Sequence, residues 1–166
     1  MNGKILVGFA TKYGSTQEVA SFITDVLRED DRSVDLLALC EVKSLEGYSA
    51  VIVGAPFYMF KWLKDARKFL ARNKKALEAI PVAVFALGPT DETENEENRP
   101  EVFVQLDKTL EDYPWLKPID QKLFGGKFDP SKLKFPMSKF MGKMPASDIR
   151  DWNAIRAWVE GIKSKL

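Results

Sequence analysis

The chain has 166 residues, of which 45% are hydrophobic and 30% charged, with a formal net charge of +1; this suits a globular domain with a sizeable core and excludes general disorder. Cys40 is the only cysteine and histidine is absent, which excludes an internal disulfide, cysteine-based zinc or iron–sulfur sites and nucleophilic schemes that need imidazole. No apolar run approaches the roughly 18–20 residues needed to cross a bilayer, and the first residues show no secretory pattern, so a cytoplasmic address is expected.

Residues 4–10 form a continuous apolar run that reads as a buried central strand. A polar turn follows at 11–15. Residues 16–28 then place Val19, Ala20, Ile23 and Leu27 on one helical face. Further strands are predicted at 33–39, 50–55, 81–87 and 115–124, and helices at 64–77, 101–110 and 151–163. An aromatic-rich loop spans 56–62 and a polar loop 88–99, while 125–147 reads as irregular to helical. Strands alternating with helices imply right-handed crossovers. The expected architecture is one α/β domain over 1–166, with a doubly wound five-stranded parallel sheet in the order 2-1-3-4-5 and helices on both faces.

The small net charge hides two opposed patches. Residues 91–112 hold nine acids against Arg99 and Lys108, whereas residues 121–145 hold six lysines against Asp129.

Open α/β sheets bind ligands beyond the C-terminal ends of their strands. The first strand runs there into Thr11-Lys12-Tyr13-Gly14-Ser15-Thr16, which opens a helix. A helix start offers unpaired N–H groups to an anion, and Gly14 lets the backbone turn toward it. The hydroxyls of Thr11, Ser15 and Thr16 can donate to phosphate oxygens, and Lys12 can add charge. The same cluster also reads as an ordinary turn in which Ser15 or Thr16 caps the helix. The spacing matches neither G-x-G-x-x-G nor G-x-x-x-x-G-K-[ST]. Phe9-Ala10-Thr11-Lys12 also lacks the acids that a Mg²⁺-dependent receiver domain places at this strand end.

The pattern T-x-x-G-[ST]-T directly after the first strand resembles the FMN-phosphate signature of flavodoxins. Leu123–Pro130 and Asp148–Trp158 resemble, more narrowly, the flavodoxin-domain subfamily that includes menaquinone-dependent protoporphyrinogen dehydrogenase. The resemblance spans nearly the whole chain. It implies FMN as cofactor, with the flavin ring between Pro56-Phe57-Tyr58-Met59-Phe60-Lys61-Trp62 and Gly88-Pro89-Thr90-Asp91. The density of aromatics in the first of these loops asks for an apolar partner, and Lys61 near the ring would favour its anionic reduced form. Gly125-Gly126 follows the fifth strand at the same edge, either approaching the ring or forming a plain turn. The bulky 57–62 loop departs from the small hydrophilic loop of the haem-pathway enzymes and would shield the ring from a large tetrapyrrole.

The basic aromatic stretch 127–144 suits an anionic membrane surface, an acidic protein, or a local helix whose lysines are merely solvated. It carries no nucleic-acid reading motif. The resemblance favours an FMN-dependent oxidoreductase that passes electrons from a reduced donor to an acceptor such as a quinone. A non-enzymatic carrier between redox partner proteins is the second reading. No side chain declares itself a general acid or base, and no metal site is expected.

Overall fold

Apolar strands with no polar face must be covered on both sides, and three such strands form the centre of this molecule. The computed structural model describes residues 3–166. β1 (Lys4–Phe9) leads to α1 (Ser15–Arg28), β2 (Val34–Ala38) and β3 (Tyr48–Tyr58). After a two-residue strand, β4 (Lys61–Trp62), come α2 (Lys64–Arg72), α3 (Lys74–Leu77) and β5 (Val82–Leu87). The chain continues through α4 (Pro100–Phe103), α5 (Gln105–Glu111) and β6 (Asp120–Phe124). The main sheet runs β2-β1-β3-β5-β6 with every one of these pairs parallel. With the short antiparallel β4 set aside, this is the expected order of five parallel strands.

A C-terminal excursion leaves the sheet after β6. β7 (Lys127–Phe128) and β8 (Ser147–Asp148) pair antiparallel at its base. Between them lie a 3₁₀ turn at Pro130–Lys132 and α6 (Met137–Met141). The chain ends in α7 (Trp152–Ile162) and a final 3₁₀ turn.

Alternation along the strands builds two cores. Ile5, Val7 and Phe9 pack with Ile23 of α1 and with Ile155 and Ile162 of α7. On the other face Leu6, Val51 and Val84 meet Phe69 and Leu70 of α2 and Leu106 of α5. Trp158 sits edge-on to Phe85 and Phe124, with ring centroids 6.2 and 5.6 Å away. The Phe85 ring occupies the space where residue 54 would carry a side chain: a Cβ on Gly54 would lie 1.9 Å from its Cζ.

Four elements differ from the expected boundaries. β3 runs through residue 58 and pairs with β4, so the predicted 56–62 loop is a tight hairpin, with Phe57 opposite Trp62 and Tyr58 opposite Lys61. The buried Trp62 indole anchors it by donating to Ala55 O at 2.9 Å. The predicted 64–77 helix breaks at Asn73, whose side chain donates to Phe69 O at 2.9 Å and competes with the backbone ladder. The 101–110 helix is likewise two pieces, divided at Val104. The fifth strand begins at Asp120, not at 115, because Pro114 and Pro118 have no N–H to give a ladder.

Gly54→Ala is expected to destabilise the fold by about 1–3 kcal/mol through overpacking against Phe85. Urea unfolding checks it; an unchanged midpoint would show that the ring moves aside freely.

Candidate functional site

The chain leaves β1 at the C-terminal edge of the sheet and must reverse within a few residues to begin α1. Gly14 does this with φ 94°, a left-handed conformation that side-chain-bearing residues rarely adopt. Its N–H donates to Thr11 Oγ1 at 2.8 Å, which closes the turn from within. The first bond within α1 runs from Glu18 N–H to Gly14 O, 3.1 Å. The N–H groups of Ser15, Thr16 and Gln17 precede it, and no side chain caps the helix. Ser15 and Thr16 therefore do not act as the cap that the sequence allowed. Thr16 is fully buried and its hydroxyl has no hydrogen-bond partner. Leaving such a group unpaired is costly, and it lies in the first turn of α1, whose amides have no side-chain cap.

A cavity of about 190 Å³ opens next to this turn. Among the predicted residues it brings together Lys12, Tyr13, Ser15, Pro56, Phe57, Tyr58, Gly88, Thr90 and Gly126. Gly126 meets the β5 loop closely. Its N–H donates to Pro89 O at 2.7 Å, and a Cβ would lie 2.9 Å from Gly88 O. Main chain alone is thus presented there. Thr11 and Thr16 belong to the turn itself rather than to the cavity wall.

The remaining predicted residues lie elsewhere. Met59 and Phe60 form the hairpin tip with φ of 49° and 61°. This is the two-residue turn geometry that normally selects Asn-Gly, yet here it carries two exposed apolar side chains. The tip flanks a side groove with Pro89 and Thr90, and Gln105 holds Phe60 O at 2.8 Å. Lys61 is exposed beside it. Asp91 turns its carboxylate to the Thr93 N–H and hydroxyl, both at 2.8 Å, which hold it below the usual carboxylate range. It borders a second, larger cavity of about 500 Å³ that shares Thr90, Phe128 and Met141 with the first. Gly125 packs against Ile149 O, where a Cβ would come within 2.4 Å, and takes no part in the wall.

Sequence reasoning missed the far wall. Leu87, Lys127, Phe128, Leu133, Met137 and Met141 also line the central cavity, five of them from the excursion after β6. The signal was present as an apolar spacing inside a lysine-rich segment, but nothing local said which way it faced. Arg150 was missed as well. It is almost wholly buried and bonds Glu18 Oε2 and Asp148 Oδ2, each at 2.6 Å, and Ser15 O at 3.3 Å. It thereby ties the start of α1 to the returning strand β8. The guanidinium holds the Asp148 carboxyl below its ordinary range.

The charge near the turn is positive. Lys12 Nζ lies 3.3 Å from the centroid of the Tyr58 ring and 5.5 Å from that of Tyr13. Burial pulls the Lys12 ammonium down, but contacts with the two tyrosines outweigh it and its pKa sits above the ordinary lysine value. Among the described residues no group of acids, cysteine or histidine is arranged to hold a metal ion. An anion next to an aromatic cavity is the ligand chemistry this arrangement fits.

Thr16→Val removes the unpartnered hydroxyl while keeping the shape of the side chain. The ligand-free protein is expected to gain about 1 kcal/mol, read by urea unfolding. A loss of stability would mean that the hydroxyl already has a partner.

A family model described as Flavodoxin domain matches residues 6–150. Flavodoxin 2 from Bacillus cereus shares the fold at 19% identity and a TM-score of 0.62, covering 98% of this chain and 99% of that one. A flavodoxin from the domain Archaea does so at 17% identity and a TM-score of 0.58, with 98% and 97% covered. The rubredoxin oxygen:oxidoreductase of Desulfovibrio gigas aligns at 13% identity and a TM-score of 0.59; 98% of this chain covers 35% of that protein. No curated protein matches the sequence. On the match over most of its length, supported by the sheet order and the turn at Gly14, the chain belongs to the flavodoxin domain family.

Proposed function

We propose that the chain is a single FMN-binding domain that acts as an FMN-dependent oxidoreductase, taking electrons from a reduced donor and passing them to an acceptor such as a quinone. The observation that carries the FMN reading is the uncapped start of α1 directly after a left-handed glycine, with Ser15 lining an aromatic cavity and the buried, unpartnered Thr16 hydroxyl behind it in the first turn. FMN, when bound, supplies reversible electron transfer that no side chain here can perform. The N–H groups of residues 15–17 and the Ser15 and Thr16 hydroxyls would hold the phosphate. Tyr13, Phe57 and Tyr58 offer faces to a flat ring, and the backbone at Gly88 and Gly126 allows close approach. Lys12 favours negative charge in the cavity. Phe128, Leu133 and Met141 close its far side to water. No residue is assigned as a general acid or base.

The acceptor reading rests on the surface around the cleft. Phe135 and Phe140 of the excursion are 80% and 75% exposed, and Met59 at the hairpin tip is 78% exposed. Lys134, Lys139 and Lys143 are exposed close to the first two in sequence. Exposed phenylalanines in a lysine-rich segment suit the surface of an anionic membrane, where a quinone pool is reached. The proposed address is cytoplasmic, with peripheral contact through 127–144. No helix among the described residues is long and apolar enough to cross a membrane. The acidic loop after β5 favours instead a carrier that meets a protein partner.

Titrating the ligand-free protein with FMN is expected to quench flavin fluorescence at one equivalent, and Thr16→Val to weaken binding about tenfold, the scale of one hydrogen bond to a charged group. Unaltered affinity in the variant would count against this cradle. The loaded protein, reduced anaerobically, is expected to reoxidise in step with reduction of a menaquinone analogue; electron delivery only to a protein acceptor would replace the quinone reading with the carrier. Wild-type protein is expected to be retained on phosphatidylserine vesicles and the Lys134→Glu, Lys139→Glu, Lys143→Glu triple variant to be released. Equal retention removes the membrane contact.

A further inference from the structure

We propose that the excursion after β6 supplies part of the phosphate site itself: Lys132 is a phosphate-binding residue, and the ester is held jointly by the amides of α1 and by this ammonium. The inference rests on the FMN reading above and deepens it.

Lys132 lies 119 residues from the turn in sequence yet reaches it directly. Its Nζ donates to Tyr13 O at 3.0 Å. It is also the atom that a Cβ on Gly14 would meet first, at 3.9 Å. The ammonium therefore stands over the open side of the left-handed glycine, next to the helix start where the free N–H groups gather. An ammonium has three donors; one is used on Tyr13 O, which leaves two for an anion.

A cleft of about 30 Å³ separates the two segments, lined by Tyr13, Ser15, Lys127, Asp129 and Lys132. The acids near it are already engaged. Asp129 Oδ1 accepts from Ser131 N–H at 3.0 Å and Ser131 Oγ at 2.6 Å. Glu18 is held by Arg150 at 2.6 Å, with Lys127 Nζ 3.8 Å from its other oxygen. Lys132 makes no ion pair within 4.0 Å among the described residues, although the Asp129 carboxylate shares its cleft and is held below the ordinary range first by Ser131 and also by the lysine's charge. A second, independent observation lies in the same turn of α1, where the fully buried Thr16 hydroxyl has no partner within the protein.

The consequence is a specificity term. Amides and hydroxyls recognise phosphate oxygens by hydrogen bonds, whereas an ammonium recognises the charge. A ligand with the phosphate gains from Lys132, and the same ring without it does not. The gain is partly screened by salt. Because Lys132 belongs to the excursion that also forms the far wall of the cavity, phosphate binding and closure of that wall are joined in one segment.

The test uses the full ligand-free chain, wild type against Lys132→Gln and Lys132→Arg, titrated with FMN and with riboflavin at low and high salt. Lys132→Gln is expected to weaken FMN about tenfold, as for loss of one charge-assisted hydrogen bond, with riboflavin unchanged and a shallower salt dependence for FMN. Lys132→Arg is expected to restore most of the loss. An equal fall for both flavins would make Lys132 a strut and overturn the inference, as would no fall for either. If the wild type binds neither flavin, the FMN reading fails separately. Lys132 is then judged by inorganic phosphate against chloride at matched ionic strength. Phosphate should raise the wild-type melting temperature more than that of Lys132→Gln, and equal shifts overturn the proposal.

Discussion

The site depends on one conformational constraint: the chain must pass from β1 into α1 through a left-handed residue. A glycine meets that requirement, and the turn it makes leaves three consecutive amides facing out of the fold with nothing from the protein to satisfy them. The helix adds its dipole to the same point. A fold normally caps such an end with a side chain. Here no side chain does so: neither Ser15 nor Thr16 caps the helix, Thr16 is buried with its hydroxyl unused, and the Thr11 hydroxyl is spent on Gly14 N–H. The helix start is thus kept unsatisfied at some cost in stability, which is the usual relation between a binding site and the scaffold that holds it.

The rest of the molecule makes that end rigid. β1, β3 and β5 are covered on both faces, and the ring of Phe85 fills the space over Gly54 so that the central strands interlock. α1 is clamped at its beginning by Arg150, which bonds Ser15 O and Glu18 and is itself paired with Asp148. Arg150 is buried while its acid partners are partly exposed. Their attraction is therefore moderated by solvent, and the geometric role, fixing the turn against the returning strand, outweighs the energetic one. Positions of donors around an anion are set by such supports more than by the donors themselves.

The excursion between β6 and α7 gives this chain its particular character. It folds back on a two-stranded base, presents Phe128, Leu133, Met137 and Met141 to the cavity, and turns Phe135 and Phe140 outward among lysines. One segment therefore makes the wall of the cleft on its inner side and an apolar, positively charged surface on its outer side. The acidic loop after β5 meets it at the second cavity, whose lining includes Asp91 and Glu92 from the loop and Phe128, Met141 and Met144 from the excursion.

The sequence by itself determined the layered α/β architecture and the glycine turn that opens α1, because both are local. Continuous apolar runs identify central strands, 3.6-residue spacing identifies α1 and α7, and a polar turn with one glycine between a strand and a helix can lie only at the ligand edge of the sheet. Tertiary structure alone decided the hairpin at residues 57–62, whose Met-Phe tip carries no turn signal and forms because Trp62 is drawn into the core. It likewise decided that helix 64–77 would break at Asn73 and that the fifth strand would wait for Asp120. It also decided which lysine reaches the turn before α1. Lys132 and Lys134 are two residues apart and indistinguishable in composition, yet Lys132 donates to Tyr13 O across 119 residues of chain. No period or motif reports a contact that exists only once the excursion has folded back over the sheet edge on its β7–β8 base.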